Sequence, residues 1–187
     1  MNYADIKRYD VANGPGVRIS LFVSGCTHQC KNCFNAEAWD FNYGNPFGDA
    51  EITSILDACD KGYIEGLTVL GGEPFEPENR GGLIELCRRF RDRFPQKSIW
   101  CYSGFVFDTE LLSDGIREPE TARELLSLID VLVDGRFVES LKSPALMFRG
   151  SSNQRIIDVQ KSLASGTTVL LAGTWERTVG TGDIYRT

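Results

Sequence analysis

Three cysteines lie close together near the start of the chain, spaced C-x3-C-x2-C as Cys26, Cys30 and Cys33. Thiolates this near in sequence can wrap one compact inorganic centre, so we expect this segment to form a metal-binding loop. Three cysteines leave one coordination position without a thiolate. An open position is typical of a site that performs chemistry, whereas structural metal sites are usually closed.

Zinc is the main alternative for these cysteines, because His28 lies among them and completes a Cys3His set. Structural zinc sites usually draw their ligand pairs from two separated turns, and here all four candidates fall within eight consecutive residues. A zinc-binding interaction module therefore stays open as a hypothesis from a different functional class. The remaining cysteines lie on apolar stretches and are expected to be buried free thiols: Cys59, Cys87 and Cys101.

Composition limits the possible partners. The chain has 187 residues, 42% of them hydrophobic, which suits a single domain with a substantial core. Its net charge of −6 argues against binding to nucleic acid or to an anionic membrane surface. Charged residues among positions 1–8 differ from the apolar stretch of a signal peptide, so we expect a cytoplasmic protein that keeps its cysteines reduced.

Hydrophobic periodicity predicts strands and helices in alternation. The predicted strands are Val17–Val23, Leu67–Leu70, Ser98–Tyr102 and Val131–Val133. The predicted helices contain the apolar stripes Ile52 to Cys59 and Leu83 to Phe94, and the segment Ala122 to Ile129. This order indicates an α/β fold with a parallel sheet, either doubly wound or curved towards a barrel.

Three other segments are less regular. The arginines between positions 88 and 93 are expected to form a solvated helix face. Residues 156–159 and 168–171 are possible further strands, and residues 173–187 are rich in glycine and threonine, which suits a tail or a docking segment.

Unusual residues follow each predicted strand, and parallel α/β sheets bind ligands at the carboxyl ends of their strands. After the cysteine loop come Gly71-Gly72-Glu73-Pro74, Ser103-Gly104 and Asp134-Gly135-Arg136. Paired glycines allow a ligand to approach the backbone closely, and the Glu73 carboxylate is suited to an ammonium group. Asp134 and Arg136 are suited to the hydroxyls and carboxylate of a zwitterionic nucleoside.

These motifs together resemble the radical S-adenosylmethionine superfamily. The run Asn13-Gly14-Pro15-Gly16-Val17-Arg18 ahead of the cysteines is similar to the glycyl-radical-enzyme activases in that superfamily. Two later segments narrow the resemblance to the activases of anaerobic ribonucleoside-triphosphate reductase: 132–138 and 148–154.

The resemblance implies a [4Fe-4S] cluster on Cys26, Cys30 and Cys33, with S-adenosyl-L-methionine on its fourth iron. Reductive cleavage of the sulfonium would give a 5′-deoxyadenosyl radical, which removes a hydrogen from a glycine of the partner reductase. The implied cofactor contacts are Asn32, Cys33 and Phe34 near the adenine, Gly71, Gly72 and Glu73 at the methionine end, and Ser103, Asp134 and Arg136.

The resemblance also implies a fold and partners. The expected architecture is a partial (β/α)6 barrel-like radical SAM fold with an open side, formed by residues 1–187 as a single domain with 160–187 as a C-terminal extension. Reduced flavodoxin or ferredoxin is the implied electron donor. An activase of another glycyl-radical enzyme, such as pyruvate formate-lyase, and a small-molecule radical enzyme are the alternatives within the superfamily.

Overall fold

A computed structural model describes residues 1–173 of the chain, which form one mixed sheet with helices. The strands are β1 (Asn2–Asp10), β2 (Val17–Val23), β3 (Asn45–Pro46), β4 (Ile64–Gly71), β5 (Ser98–Tyr102), β6 (Val131–Asp134) and β7 (Arg155–Asp158). The α-helices are α1 (Asp49–Cys59), α2 (Pro77–Arg93), α3 (Pro119–Leu128) and α4 (Val159–Ser165). Short helical turns lie at Ala36–Trp39, Phe107–Leu111 and Glu139–Leu141.

The sheet has the strand order β3-β1-β2-β4-β5-β6-β7. Its four central strands, β2, β4, β5 and β6, are parallel and are connected through α1, α2 and α3. Both outer parts are antiparallel, since β1 pairs with β2 and β3, and β7 pairs with β6. The predicted α/β class and the β-α-β alternation are confirmed, and the sheet is open rather than closed into a barrel.

All four α-helices pack on one face of this sheet, which we call the helix face. Alternate strand residues form this face together with apolar residues of the helices, in one buried cluster. Its strand members are Ile19, Leu21, Val23, Ile64, Leu67, Val69, Ile99, Cys101, Leu132 and Ile157. One-sided coverage excludes the doubly wound arrangement, in which helices cover both faces.

The opposite face carries the other set of alternate residues, and we call it the cavity face. It combines an apolar cluster around Trp100 with the buried polar side chains of Arg18 and Thr68. Arg18 is 1% exposed and donates to Thr68 Oγ1 at 2.7 Å and to the carbonyl oxygens of Leu67 and Ser98, each at 2.8 Å. Burial lowers the pKa of Arg18 to about 10.

Most predicted elements match the structure, and the differences lie at the edges. Strand β1 was not predicted, because its exposed and charged side chains give no clear alternation. The strand expected at 156–159 forms as β7 one residue earlier, and Val159 begins α4. Residues 168–171 contribute only an isolated bridge between Leu170 and Ile157. The predicted tail, apart from residue 173, lies outside the described residues.

The arginine-rich side of α2 is a solvated face, as expected, with Arg88 and Arg93 exposed and Arg89 and Arg91 half-buried. Each arginine there makes an ion pair, for example Arg88 with Glu124 and Arg93 with both Asp57 and Asp60. These pairs connect α2 to its neighbouring helices and neutralise the basic run. Within residues 1–173, no helix is both long and apolar enough to cross a membrane.

Candidate functional site

The cysteine loop leaves the end of β2 and curls over the rim of the sheet. Gln29 and Asn32 adopt left-handed backbone conformations, with φ of 45° and 56°, which bend the loop back on itself. As a result, the three cysteines border the same cavity. They are free thiols, with Cys26 buried and the other two half-buried.

Backbone hydrogen bonds join this loop to the glycine turn that follows β4. The N–H of Gly72 donates to Val23 O at 2.7 Å, and the N–H of Glu73 donates to Gly25 O at 2.8 Å. A β-carbon on Gly72 would lie 2.5 Å from Gly25 O, so this close approach requires glycine. The Cys26 loop and the Gly71-Gly72-Glu73 turn therefore form one connected unit.

The cavity beside this unit has a volume of about 410 Å³, within the range of small-molecule sites. It lies on the cavity face of the sheet and is bordered by most of the predicted site residues. These are Cys26, Cys30, Asn32, Cys33, Phe34, Gly71, Gly72, Glu73 and Ser103. The segment 137–154 closes its other side through Phe137, Lys142, Leu146, Phe148 and Arg149.

Glu73 lies at the centre of a polar network and is 1% exposed. Its Oε1 accepts from the N–H of Phe75 at 2.8 Å and from the Ser103 hydroxyl at 2.9 Å. Its Oε2 accepts from the N–H of Gly104 at 2.7 Å and lies 3.1 Å from His28 Nε2. The carboxylate that we expect to bind an ammonium group is thus fully engaged by donors of the protein.

His28 bridges Glu73 to Arg136. Its Nδ1 accepts from Arg136 Nε at 3.2 Å, so its Nε2 carries the proton that points to Glu73. Its ring also packs edge-to-face on Phe105, with centroids 4.4 Å apart. Because both ring nitrogens are occupied, this geometry disfavours the zinc alternative with His28 as a ligand.

Asp134 is placed differently from the expectation that it contacts a nucleoside. Its carboxylate is buried and accepts from the N–H of Phe107 at 2.8 Å. It also pairs with Arg155, whose Nη2 lies 2.5 Å from Asp134 Oδ2. Asp134 does not border the cavity, whereas the backbone of its neighbour Gly135 does. The structure therefore assigns this side chain to the support of the rim.

Of the remaining predicted residues, Asn32 and Phe34 lie at the cavity mouth, and Arg136 lies outside the cavity. Phe34 is 82% exposed, so its ring is available to a ligand or a partner. The Asn32 amide contacts the Glu139 carboxylate, which connects the cysteine loop to the segment on the far side of the mouth. Arg136 does not border the cavity and forms an ion pair with Glu110 at 2.9 Å.

Sequence reasoning missed several residues that hold the site together. Glu76 Oε1 accepts from the N–H of Thr27 at 2.8 Å and from its hydroxyl at 2.5 Å, which fixes the start of the cysteine loop. Arg155 pairs with Asp134 and with Asp108. The proximity of Glu76 to the Gly71–Pro74 motif was the only available signal for its role.

The residues present fit an iron-sulfur cluster and a polar cofactor. Among the described residues, no three Cys, His, Asp or Glu side chains gather around a single metal ion. A [4Fe-4S] cluster instead takes one thiolate per iron, which suits three thiols distributed around one side of a cavity. The buried Tyr102 hydroxyl borders the same cavity without a protein partner among residues 1–173, so it is available to a polar ligand.

Burial raises the pKa of the Cys26 thiol to about 12, and the nearby Glu73 carboxylate adds to this effect. Cys26 is therefore a neutral thiol without metal. Iron must displace its proton, because a thiolate is the form that binds metal.

Comparison with known proteins agrees with this geometry. Residues 12–157 match the model of a family described as "4Fe-4S single cluster domain". An anaerobic ribonucleoside-triphosphate reductase-activating protein of Escherichia coli K12 is 40% identical over 157 residues, which cover 82% of this chain and 96% of that protein.

Two further proteins with the same name are similar to this chain over the same share of its length. The protein of Enterobacteria phage T4 is 37% identical over 83% of this chain and 93% of its own length. The protein of Vibrio cholerae is 39% identical over 83% of this chain and 97% of its own length. The chain belongs to the 4Fe-4S single cluster domain family and, within it, to the family of anaerobic ribonucleoside-triphosphate reductase-activating proteins.

Proposed function

We propose that this chain activates an anaerobic ribonucleoside-triphosphate reductase by generating a glycyl radical on it. The [4Fe-4S] cluster would be held by Cys26, Cys30 and Cys33, and S-adenosylmethionine would occupy the adjoining cavity. One observation carries this proposal: the three free thiols and the Gly71-Gly72-Glu73 turn border one cavity and are joined through Gly25.

When bound, the cluster and S-adenosylmethionine would supply the chemistry, namely reductive cleavage of the sulfonium and removal of a hydrogen from a glycine of the reductase. The protein's own residues supply orientation and shield the site from water. Gly71 and Gly72 border the cavity at the end of β4, where the lack of a side chain lets Val23 and Gly25 approach closely. Phe34 offers an aromatic face for the adenine, and Glu73 and Ser103 border the cavity as polar contacts for the methionine end. Arg136 lies outside the cavity and is connected to this end through its hydrogen bond to His28 Nδ1.

The proposal changes the role of Asp134. Its internal pairing with Arg155 supports a structural role, and the backbone of Gly135 takes its place at the cavity. We also propose that the sheet is an incomplete relative of the radical SAM barrel. Its open side suits a macromolecular substrate, because a glycine on a loop of the partner must reach the cavity.

Three further parts of the proposal rest on sequence reasoning alone. Residues 1–187 form one radical SAM domain in which 160–187 are an addition to the common fold. Reduced flavodoxin or ferredoxin supplies the electron, and the protein acts in the cytoplasm.

Electron spin resonance with the candidate reductase tests the proposal. The chain is reconstituted anaerobically with iron and sulfide, reduced, and mixed with S-adenosylmethionine and the reductase. We expect 5′-deoxyadenosine to form and a doublet signal to appear on the reductase.

A reductase in which the radical-bearing glycine is replaced by alanine is the matched control and should give no doublet. An intact cluster that never cleaves S-adenosylmethionine contradicts the proposal. Activation of pyruvate formate-lyase in place of the reductase would retain the chemistry and reassign the partner.

A further inference from the structure

His28 occupies the space between two residues that the proposed function assigns to the methionine end of S-adenosylmethionine. Its Nε2 lies 3.1 Å from Glu73 Oε2, and its Nδ1 accepts from Arg136 Nε at 3.2 Å. The His28 imidazole thus contacts both groups that are proposed to bind the ligand. These are the Glu73 carboxylate, for the ammonium group of the ligand, and the Arg136 guanidinium, for its carboxylate.

The surroundings form a close-fitting site for this ring. Only 5% of the His28 side chain is exposed, although it belongs to the loop that carries the cysteines. Phe105 packs against one side of the ring, and a β-carbon on Gly104 would overlap with it. The imidazole therefore excludes other groups from this part of the site.

Glu73 has no oxygen left for an additional strong donor. Its other three donors are two backbone N–H groups and the Ser103 hydroxyl, all of which belong to the sheet rim. His28 comes from a separate loop, and its contact is the longest of the four. It is the donor that a ligand ammonium group can replace with the least disturbance of the fold.

We propose that His28 closes the methionine end of the cofactor site in the ligand-free protein and must leave Glu73 and Arg136 for S-adenosylmethionine to bind. This inference rests on the proposed function, because it assumes that S-adenosylmethionine uses this cavity. It also implies selectivity for ligands with both an ammonium group and a carboxylate. Such a ligand replaces both contacts of the imidazole, whereas a ligand with neither group replaces none.

Chemical modification of His28 tests the inference in the chain without any amino-acid substitution. His28 is the only histidine in the chain. Its reaction with diethyl pyrocarbonate is assigned by mass spectrometry of the peptide that contains it, because the reagent also modifies lysine, tyrosine and cysteine side chains. With the cluster-loaded, unreduced protein, S-adenosylmethionine should expel the ring and accelerate its modification several-fold. 5′-Methylthioadenosine, which lacks the amino-acid end, should leave the modification rate unchanged.

Calorimetric binding of S-adenosylmethionine to the same unreduced protein provides a second measurement. His28→Ala should bind the cofactor about tenfold more tightly, since two hydrogen bonds no longer have to be broken. Lys31→Ala is the matched control in the same loop and should bind like the parent, because the lysine side chain is largely exposed. Iron content of each variant shows whether the cluster is retained.

The outcomes separate this inference from the proposed function. Protection of His28 by S-adenosylmethionine, or weaker binding by an iron-loaded His28→Ala variant, would overturn the closing role while the proposed function stands. Acceleration by 5′-methylthioadenosine equal to that by S-adenosylmethionine would also overturn it. If S-adenosylmethionine binds neither protein, both proposals fail.

Discussion

The two faces of the central sheet are built from neighbouring residues of the same strands, yet they differ in chemistry. The helix face is a continuous apolar cluster that the four α-helices cover. The cavity face buries Arg18 and Thr68 beside apolar residues and the half-buried Tyr102, and it is only partly covered. Side chains alternate along a strand, so one sequence can specify a packed core on one side and a reactive site on the other.

The cysteines show this difference in one residue type. Cys59 and Cys87 lie fully buried in the helix-face cluster, and burial raises the pKa of each thiol to about 12. Cys30 and Cys33 are half-buried at the cavity mouth. Position relative to the sheet thus separates core thiols from candidate ligands.

Replacement of Cys30 by alanine is expected to have the largest effect. It should abolish iron binding and cleavage of S-adenosylmethionine with little loss of stability, because the side chain is not part of the core. Cys59→Ala is the control on the helix face. It should retain iron while lowering the free energy of unfolding by about 1 kcal/mol through lost packing.

Iron analysis and urea denaturation of both variants measure these effects. Full iron content in Cys30→Ala would contradict the assignment of Cys30 as a cluster ligand and of the cavity-face thiols as the iron-binding set.

Arg18→Met tests whether the polar network of the cavity face stabilises the fold. The substitution leaves buried acceptors such as Leu67 O and Ser98 O without their donor, so we expect the free energy of unfolding to fall by about 3 kcal/mol or more. Leu86→Met is the matched change in the helix face and should cost less than about 1.5 kcal/mol. Urea denaturation of both variants provides the comparison.

A neutral Arg18→Met would mean that the buried guanidinium contributes no net stability, as can happen when a charge is replaced by a well-packed apolar side chain.

Glycine substitutions provide a smaller test. Gly72→Ala should destabilise the protein by about 1–3 kcal/mol, because the new methyl group would meet Gly25 O at 2.5 Å. Gly81→Ala in α2 is open to solvent with no neighbour within 4 Å and should stabilise by up to about 1 kcal/mol. The midpoint temperature of thermal unfolding should therefore fall for Gly72→Ala and rise for Gly81→Ala. Shifts in the same direction would contradict the close approach of the two rim loops.

The smallest expected effect concerns Asp108. A hydrogen bond from Arg155 lowers the pKa of this carboxyl to about 2, and burial opposes the shift. Because the folded pKa is depressed, the stabilisation is present above the unfolded pKa of about 4 and is lost as the pH falls towards 2. The carboxylate is partly exposed, so solvent screening limits the contribution to about 1 kcal/mol or less.

Asp108→Asn should therefore destabilise the protein at neutral pH and match the parent near pH 2. Denaturation across this pH range measures the difference. A constant deficit at all pH values would show that the ion pair is not its cause.

Much of the fold could be predicted from sequence, because its signal is local. Strands β2 and β5 match their predicted limits, since short apolar runs between turns mark buried strands. Strand β1 was missed because it lies near the sheet edge, where polar residues are tolerated. The single-domain limits and the site assignments stay predictions.

The candidate site was harder to predict because its contacts span the chain. His28 lies 108 residues from Arg136 and 45 from Glu73, and no local pattern encodes such pairings. The pairing of Asp134 was not predicted for the same reason, since its partner Arg155 lies 21 residues away. The position of a residue directly after a predicted strand indicated that it lies at the rim of the sheet. It did not indicate whether its carboxylate points into the cavity or towards another residue of the protein.

The geometry of β1 has a consequence for solubility. Only its first residues, Asn2 and Tyr3, pair with β3, and from Asp5 onwards its outer edge has no strand partner within residues 1–173. An open edge of this kind can recruit strands from other molecules and start aggregation. Two register shifts against β2 and the charges of Asp5, Lys7 and Arg8 make the edge irregular and hydrophilic, which discourages a second copy from extending the sheet.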